Sequence, residues 1–224
     1  MFVGHFAAGF IAKRAAPAAS LGTMILAAMF PDVLFCVFLL AGVEHVAIQP
    51  GITAVNALDL YDIPLSHSLL TDVVWAAALG ALYFWRRRDR RGAWVVFAAV
   101  LSHWLLDFVS HRPDMPLAPG VSRYFGLGLW HSAWATLVVE GLLWSVSIVL
   151  YARITKAKSR AGAVGFWSMI GVLSALWIVS LGGAPPPSLL AVGIVNSVLG
   201  AVVLAWAYWV NRVRPLRAID VREI

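Results

Sequence analysis

The segment Ser102-His103-Trp104-Leu105-Leu106-Asp107-Phe108-Val109-Ser110-His111 spaces His103, Asp107 and His111 four residues apart. On an α-helix, eight residues drift only about 80°, so the three side chains form one stripe. A His and an Asp one turn apart can ligate one metal ion or two neighbouring ones. A buried His–Asp hydrogen bond fits the same pair. The chain has six His, eleven Asp plus Glu and a single Cys, Cys36, in an apolar run. One cysteine excludes a disulfide framework and a cysteine-based metal site, so imidazoles and carboxylates are the chemical vocabulary.

Other ionisable residues fall in apolar surroundings. Asp32 follows Pro31 about halfway along the run 21–40. Proline lacks an N–H and kinks a helix, which opens a polar gap. His67 lies in Pro64-Leu65-Ser66-His67-Ser68, where Pro64 and Ser66 read as helix-start residues, with Ser66 either a cap or a substrate contact. His5 stands in a short apolar N-terminal segment. Glu140 is ten positions into the stretch that begins at Trp130, roughly 15 Å along a helix. That is near the expected depth of His103 and Asp32, and no basic residue in its own stretch can pair with it. His131 is nine residues from Glu140, half a turn out of phase, and is expected to point away. Glu44 and His45 read as a solvated loop, and Asp59, Asp62, Asp72 and Asp114 as loop, cap or turn residues.

The elements that must position these residues follow from composition. The 224 residues are 61% hydrophobic and 12% charged, with mean hydropathy +0.83. Soluble domains are about 25% charged; half that cannot coat a water-facing surface, and a disordered chain is excluded too. The class is an all-α, polytopic membrane protein. Apolar stretches run over 21–40, 65–85, 94–109, 130–151, 163–181 and 189–210. A spanning helix needs about 20 apolar residues, so six transmembrane helices are expected. The 94–109 stretch is the shortest, and its polar end at Ser110 and His111 is expected to continue the helix.

The charge of +6 sorts by connection. Lys13 and Arg14 precede the first stretch, and Arg86, Arg87, Arg88, Arg90 and Arg91 follow the second. Arg153, Lys156, Lys158 and Arg160 follow the fourth, and Arg212, Arg214, Arg217 and Arg222 the sixth. Of the 17 basic residues only Arg112 and Arg123 remain for the other side. The asymmetry sets the crowded side, with the C-terminus, in the cytoplasm of an inner membrane. It makes the basic balance a topology signal, with no nucleic-acid partner. Residues 1–12 span only about 18 Å as a helix and lack a basic region before the apolar run. They read as a half-helix dipping from the outer half of the membrane. The whole chain reads as one membrane domain, with the site on residues 1–150 and two further apolar helices in 151–224.

His5, Asp32, His67, His103 and Asp107 thus come from four separate helices, with all five in the outer half of the bundle. Mixed imidazole and carboxylate ligands suit zinc, manganese or iron. Five ligands exceed the need of one tetrahedral ion, so one or two ions are expected. Two bridged ions suit phosphoester or amide hydrolysis.

The segments Phe30-Pro31-Asp32, Ser66-His67-Ser68, Ser102-His103-Trp104-Leu105-Leu106-Asp107 and His111-Arg112-Pro113-Asp114 resemble those of the bacterial membrane-bound metal-dependent hydrolases, the YdjM-like inner-membrane group. The likeness covers about residues 1–150. The order His, Asp, His, His-x-x-x-Asp is also similar to that of zinc-dependent phospholipase C and single-strand nuclease. The resemblance implies metal ligation by His5, Asp32, His67, His103 and Asp107. The soluble group continues with a further His and a His-x-x-x-Glu pair. Here His111 follows Asp107 at short spacing, and His131 is followed four residues on by Ala135. Glu140 would have to substitute in space, so the likeness implies one or two metals rather than three.

The expected function is a membrane-embedded hydrolase of a lipid phosphoester, opening to the outer face. Zinc is the expected cofactor. Asp32 or Glu140 would take a proton from water, with His111 beside them. Arg112, Arg123 and Ser66 would hold the substrate phosphate. An amidase acting on a lipid, an ion- or proton-coupled transporter, and a non-catalytic protein with a structural metal site are the alternatives.

Overall fold

The computed structural model describes residues 1–217; Arg222, counted above among the cytoplasmic charges, lies outside the described residues. Among them are eight α-helices: α1 (Val3–Ala15), α2 (Leu21–Ala28), α3 (Phe30–Leu40), α4 (Leu69–Arg87), α5 (Arg90–Ser110), α6 (Ala133–Ile154), α7 (Arg160–Ser180) and α8 (Leu189–Val213). Four of them, α5 to α8, are long and apolar enough to cross a membrane. The pair α2 and α3 makes a fifth if it is one broken span. Helix α4 has 19 residues but is not among these, since Asp72 and the terminal arginines dilute its hydropathy.

The run 21–40 is expected as one helix and is broken instead. The ladder stops at Met29, and α2 and α3 meet at a 57° bend. Pro31 enters the first turn of α3, where its missing N–H is harmless. The last carbonyls of α2 are freed from helical pairing, and one is used by the site described below.

Helix α1 ends at Lys13 and Arg14 and is buried along most of its length. Its Gly9 lies against the backbone of α2, where a Cβ would come within 2.9 Å of the Ile25 Cα. Phe10 is enclosed by Trp144, Tyr151 and Phe166 from α6 and α7. A helix apolar on all sides belongs in the interior. It therefore presents His5 to the middle of the bundle rather than to lipid.

The connection 41–64, expected as a loop, carries an antiparallel hairpin of β1 (His45–Ile48) and β2 (Leu58–Asp62). A second, two-residue hairpin pairs β3 (Met115–Pro116) with β4 (Tyr124–Phe125). Four long helices start at serine caps: Ser68, Ser132, Ser159 and Ser188 each accept a backbone N–H of the first turn. For α4 the cap is therefore Ser68, not Ser66.

Candidate metal centre

The centre is built from one helix end, one helix break and one loop. Helix α5 brings His103, Asp107 and His111 onto one side, with His111 as its C-terminal cap residue. The start of α3 brings Asp32, and the turn before α4 brings His67. The Nε2 atoms of His103, His67 and His111 lie 3.2, 3.6 and 3.6 Å from one oxygen, Oδ2 of Asp107. Oδ1 of Asp32 is 3.6 Å from both His67 Nε2 and His103 Nε2. Ligand atoms of Asp32, His67 and His103 lie within 4.8 Å of one another, as do those of His5, His103 and Asp107.

The outer nitrogens of the three histidines fix their tautomers. His103 Nδ1 is 2.8 Å from the carbonyl oxygen of Ala28, which can only accept. This is a carbonyl at the broken end of α2. His111 Nδ1 is 3.0 Å from Oδ1 of Asp114. His67 Nδ1 is 2.7 Å from Ser66 Oγ, and that hydroxyl donates to Oε2 of Glu44 at 2.6 Å. Each Nδ1 is therefore the donor, and in a neutral ring each Nε2 turns a lone pair inward. Two carboxylates face those lone pairs, and His103 Nε2 has no hydrogen-bond partner among the described residues although it is buried. Such a set of acceptors needs positive charge in its midst, as bound protons or as a metal cation. Metal-bound histidines characteristically donate their second nitrogen to a carboxylate or carbonyl; His103 and His111 do so directly, and His67 reaches the Glu44 carboxylate through the Ser66 hydroxyl.

His5 differs. Its ring stacks on His103 at 3.7 Å, and its Nε2 is 3.0 Å from Asp107 Oδ1. The Met1 amino group also reaches His5 Nε2 and Asp107 Oδ1. His5 Nδ1 is buried with no partner among the described residues, so its tautomer is not held there as it is in the other three.

The remaining expected residues are spread more widely. Glu140 is buried beside the cluster, but its Oε2 accepts the backbone N–H of Phe2 at 3.0 Å and of Gly4 at 3.3 Å. It caps α1 from α6 and so anchors the helix that carries His5. Ser66 is fully buried between Glu44 and His67 rather than facing open space. Arg112 is held by Asp59 and, at 3.2 Å, by Asp114. Arg123 is exposed and lies over the Phe125 ring. His131 is exposed, as its phase against Glu140 predicts.

Glu44, read as solvated loop, and Asp114, read as a loop, cap or turn residue, have structural parts in the centre. Glu44 is buried, and its Oε1 accepts the amides of Leu65 at 2.7 Å and Ser66 at 2.8 Å. Asp114 is buried and orients His111. Spacing gave no sign of Glu44, which is 22 residues from Ser66. For Asp114 the signal was present: the sequence His111-Arg112-Pro113-Asp114 sets a carboxylate three residues from an imidazole. Asp72, read as a loop, cap or turn residue, is wholly buried in the first turn of α4, and neither carboxylate oxygen has a hydrogen-bond partner among the described residues.

The cluster is not closed. A cavity of about 780 Å³ reaches it and is lined there by His5, Asp32, His67, Asp107, His111 and Glu140. The Asp32 side chain is the most exposed carboxylate of the set, at 38% against 2% for Asp107. Comparison with protein-family models, with curated proteins and with solved structures gives no match.

Proposed function

We propose that this chain is a membrane-embedded, metal-dependent hydrolase acting on a phosphoester of a lipid. The observation that carries the reading is the convergence of three imidazole Nε2 atoms, each with its Nδ1 tied to an acceptor, around Asp32 and Asp107. His67, His103, His111, Asp32 and Asp107 would hold the metal, with His5 beside them. Zinc is the best fit to such a set, with manganese or iron the other candidates. An ion held there would supply Lewis-acid chemistry at a phosphoryl oxygen and a water of lowered pKa.

The chain's own residues do the rest. Asp32, the carboxylate most open to the cavity, would be the group placed to accept a proton from water. Glu44 and Asp114, through Ser66 and directly, keep His67 and His111 turned inward. Buried apolar walls exclude bulk water from the polar cluster. The proposed topology counts the α2–α3 pair and α4 with the four long helices as six spans. The arginine-rich connections then face the cytoplasm, and the site lies in the outer half of an inner membrane.

Elemental analysis of the purified protein tests the metal centre. Zinc or manganese is expected near one or two ions per chain, lost in His103→Ala and in Asp107→Ala. Phosphate release from a lipid phosphate in mixed micelles is expected to disappear with it. Full activity in metal-stripped protein overturns the proposal.

A further inference from the structure

Helix α8 is apolar enough to cross a membrane, yet it carries two adjacent polar residues in its first half. Between Leu189 and Ala205 only Asn196 and Ser197 have polar side chains. An uncommitted amide at membrane depth is costly unless it faces a protein interior or a wet cavity. Ser197 is committed, since its Oγ donates to the carbonyl of Gly193 at 2.7 Å. The Asn196 amide has no hydrogen-bond partner among the described residues. Helical phase decides which way it faces. Asn196 lies four residues after Val192, seven before Val203 and eleven before Ala207, one stripe of a 3.6-residue helix. Those three are buried, and Asn196 is exposed. A residue on the inward stripe that is still open must open into an internal space. Asn196 lines the same cavity as Asp32 and His67.

The height of Asn196 is fixed by α3. Gly193 packs on Leu40, where a Cβ would come within 2.6 Å of the leucine side chain, and Ser197 lies beside Cys36. The two helices therefore run antiparallel. Cys36 is one turn beyond Asp32 on α3, so Asn196 sits about 5 Å from the level of Asp32, toward the start of α8. The chemistry of this wall is neutral. No Lys or Arg is among the described residues that line the cavity, and beside Asn196 the α8 wall is Val192, Val195 and Leu199. A second phosphate would meet no cation there. An ammonium group would meet no carboxylate or aromatic ring on the α8 wall. A carboxamide, which donates through nitrogen and accepts through oxygen, suits an uncharged hydroxyl.

We infer that Asn196 is a specificity-determining residue whose amide hydrogen-bonds a hydroxyl of an uncharged polyol carried beside the phosphoryl group of the lipid. The inference rests on the metal-hydrolase reading for placing that phosphoryl group at the His/Asp cluster. It gives α8, one of the two apolar helices beyond the ligand-bearing segments, a part in choosing the substrate. A site that holds a hydroxyl in this way discriminates against the analogue lacking it, because the amide is then left unpaired away from water.

The test is equilibrium binding of two hexadecyl phosphinates to the full chain in nanodiscs, with zinc supplied. One probe bears a dihydroxypropyl group and the other a plain propyl group, and neither has a P–O–C bond to cleave. The wild type is expected to bind the dihydroxypropyl probe about tenfold more tightly, the scale of one net hydrogen bond. Asn196→Leu, close in volume, is expected to bind the two probes alike with its zinc content unchanged. Asn196→Ala, which removes the amide without adding bulk, is expected to do the same. Equal binding of the probes by the wild type, a preference that survives in both variants, or no binding of either probe overturns the inference. A preference that both variants lose, in a chain whose wild type cleaves no lipid phosphoester, supports the inference while counting against the hydrolase reading.

Discussion

Asp107 is the residue on which the centre turns. Its two oxygens meet different partners: Oδ2 faces His67, His103 and His111, while Oδ1 faces His5 and the Met1 amino group. A carboxylate so divided can bridge two ions or hold one ion and a cationic neighbour. The histidines are less independent than their number suggests, because each depends on an acceptor behind it. Glu44 is the least expected of these. Glu44→Gln keeps the shape but replaces an acceptor oxygen with a donor opposite Ser66. Outer partners of this kind are worth about 10–100-fold in metal affinity. A loss of that size is expected in a chelator competition, with helical content unchanged by circular dichroism. Unchanged affinity would assign Glu44 to the hairpin alone. Asp114→Asn is expected to act the same way through His111.

At the scale of elements, the break between α2 and α3 is the device that matters. A continuous helix would use the carbonyl of Ala28 within its own ladder. The 57° bend releases it to His103 and turns Asp32 toward the same point. Pro31 enforces the break, since it has no N–H for the carbonyl four residues earlier and clashes with it in a straight helix. Pro31→Ala is expected to let the two helices straighten in part. The measurable results are a longer distance between spin labels at residues 21 and 40 and weaker metal retention. A label distance equal to that of the wild type would show that packing, not proline, holds the bend. The α1 helix is the second device. Glu140 caps it from α6, and Glu140→Gln, which still accepts from the two amides, is expected to keep the metal. Glu140→Ala strips the cap and costs about 1 kcal/mol or more, read as a lower thermal midpoint.

At the scale of the whole molecule, the helices form a bundle whose polar cluster borders a largely apolar cavity. The fold leaves large apolar side chains on its outside, including Val146, Val179 and Val198. In water such a surface would associate; in a bilayer it is the correct exterior. The topology proposed above is open to a simple measurement. Cys36 is the only cysteine, so Cys36→Ser gives a background for single-cysteine labelling. Cysteines placed at Ser122 and Arg88 are expected to react from outside and inside the cell, respectively. The reverse result overturns the orientation and with it the outer-face site.

The sequence by itself determined the membrane class, most helix positions and the stripe of His103, Asp107 and His111. Those features depend on composition and on short periods within one element: a 20-residue apolar run, a four-residue spacing, a serine before a helix. Asp32, His5 and His67 were readable as candidates because ionisable groups are costly in apolar runs. What the sequence could not decide were relations between distant segments. Burial of Glu44 under Ser66, capture of Arg112 by Asp59, use of Glu140 as the cap of α1, and the use of the Ala28 carbonyl by His103 all join residues from different elements. Hydrophobic periodicity carries no information on which loop folds over which helix end. The tertiary structure alone decided which polar groups would be shielded from water together, and it is that shared shielding that turns scattered acids and imidazoles into a candidate metal centre.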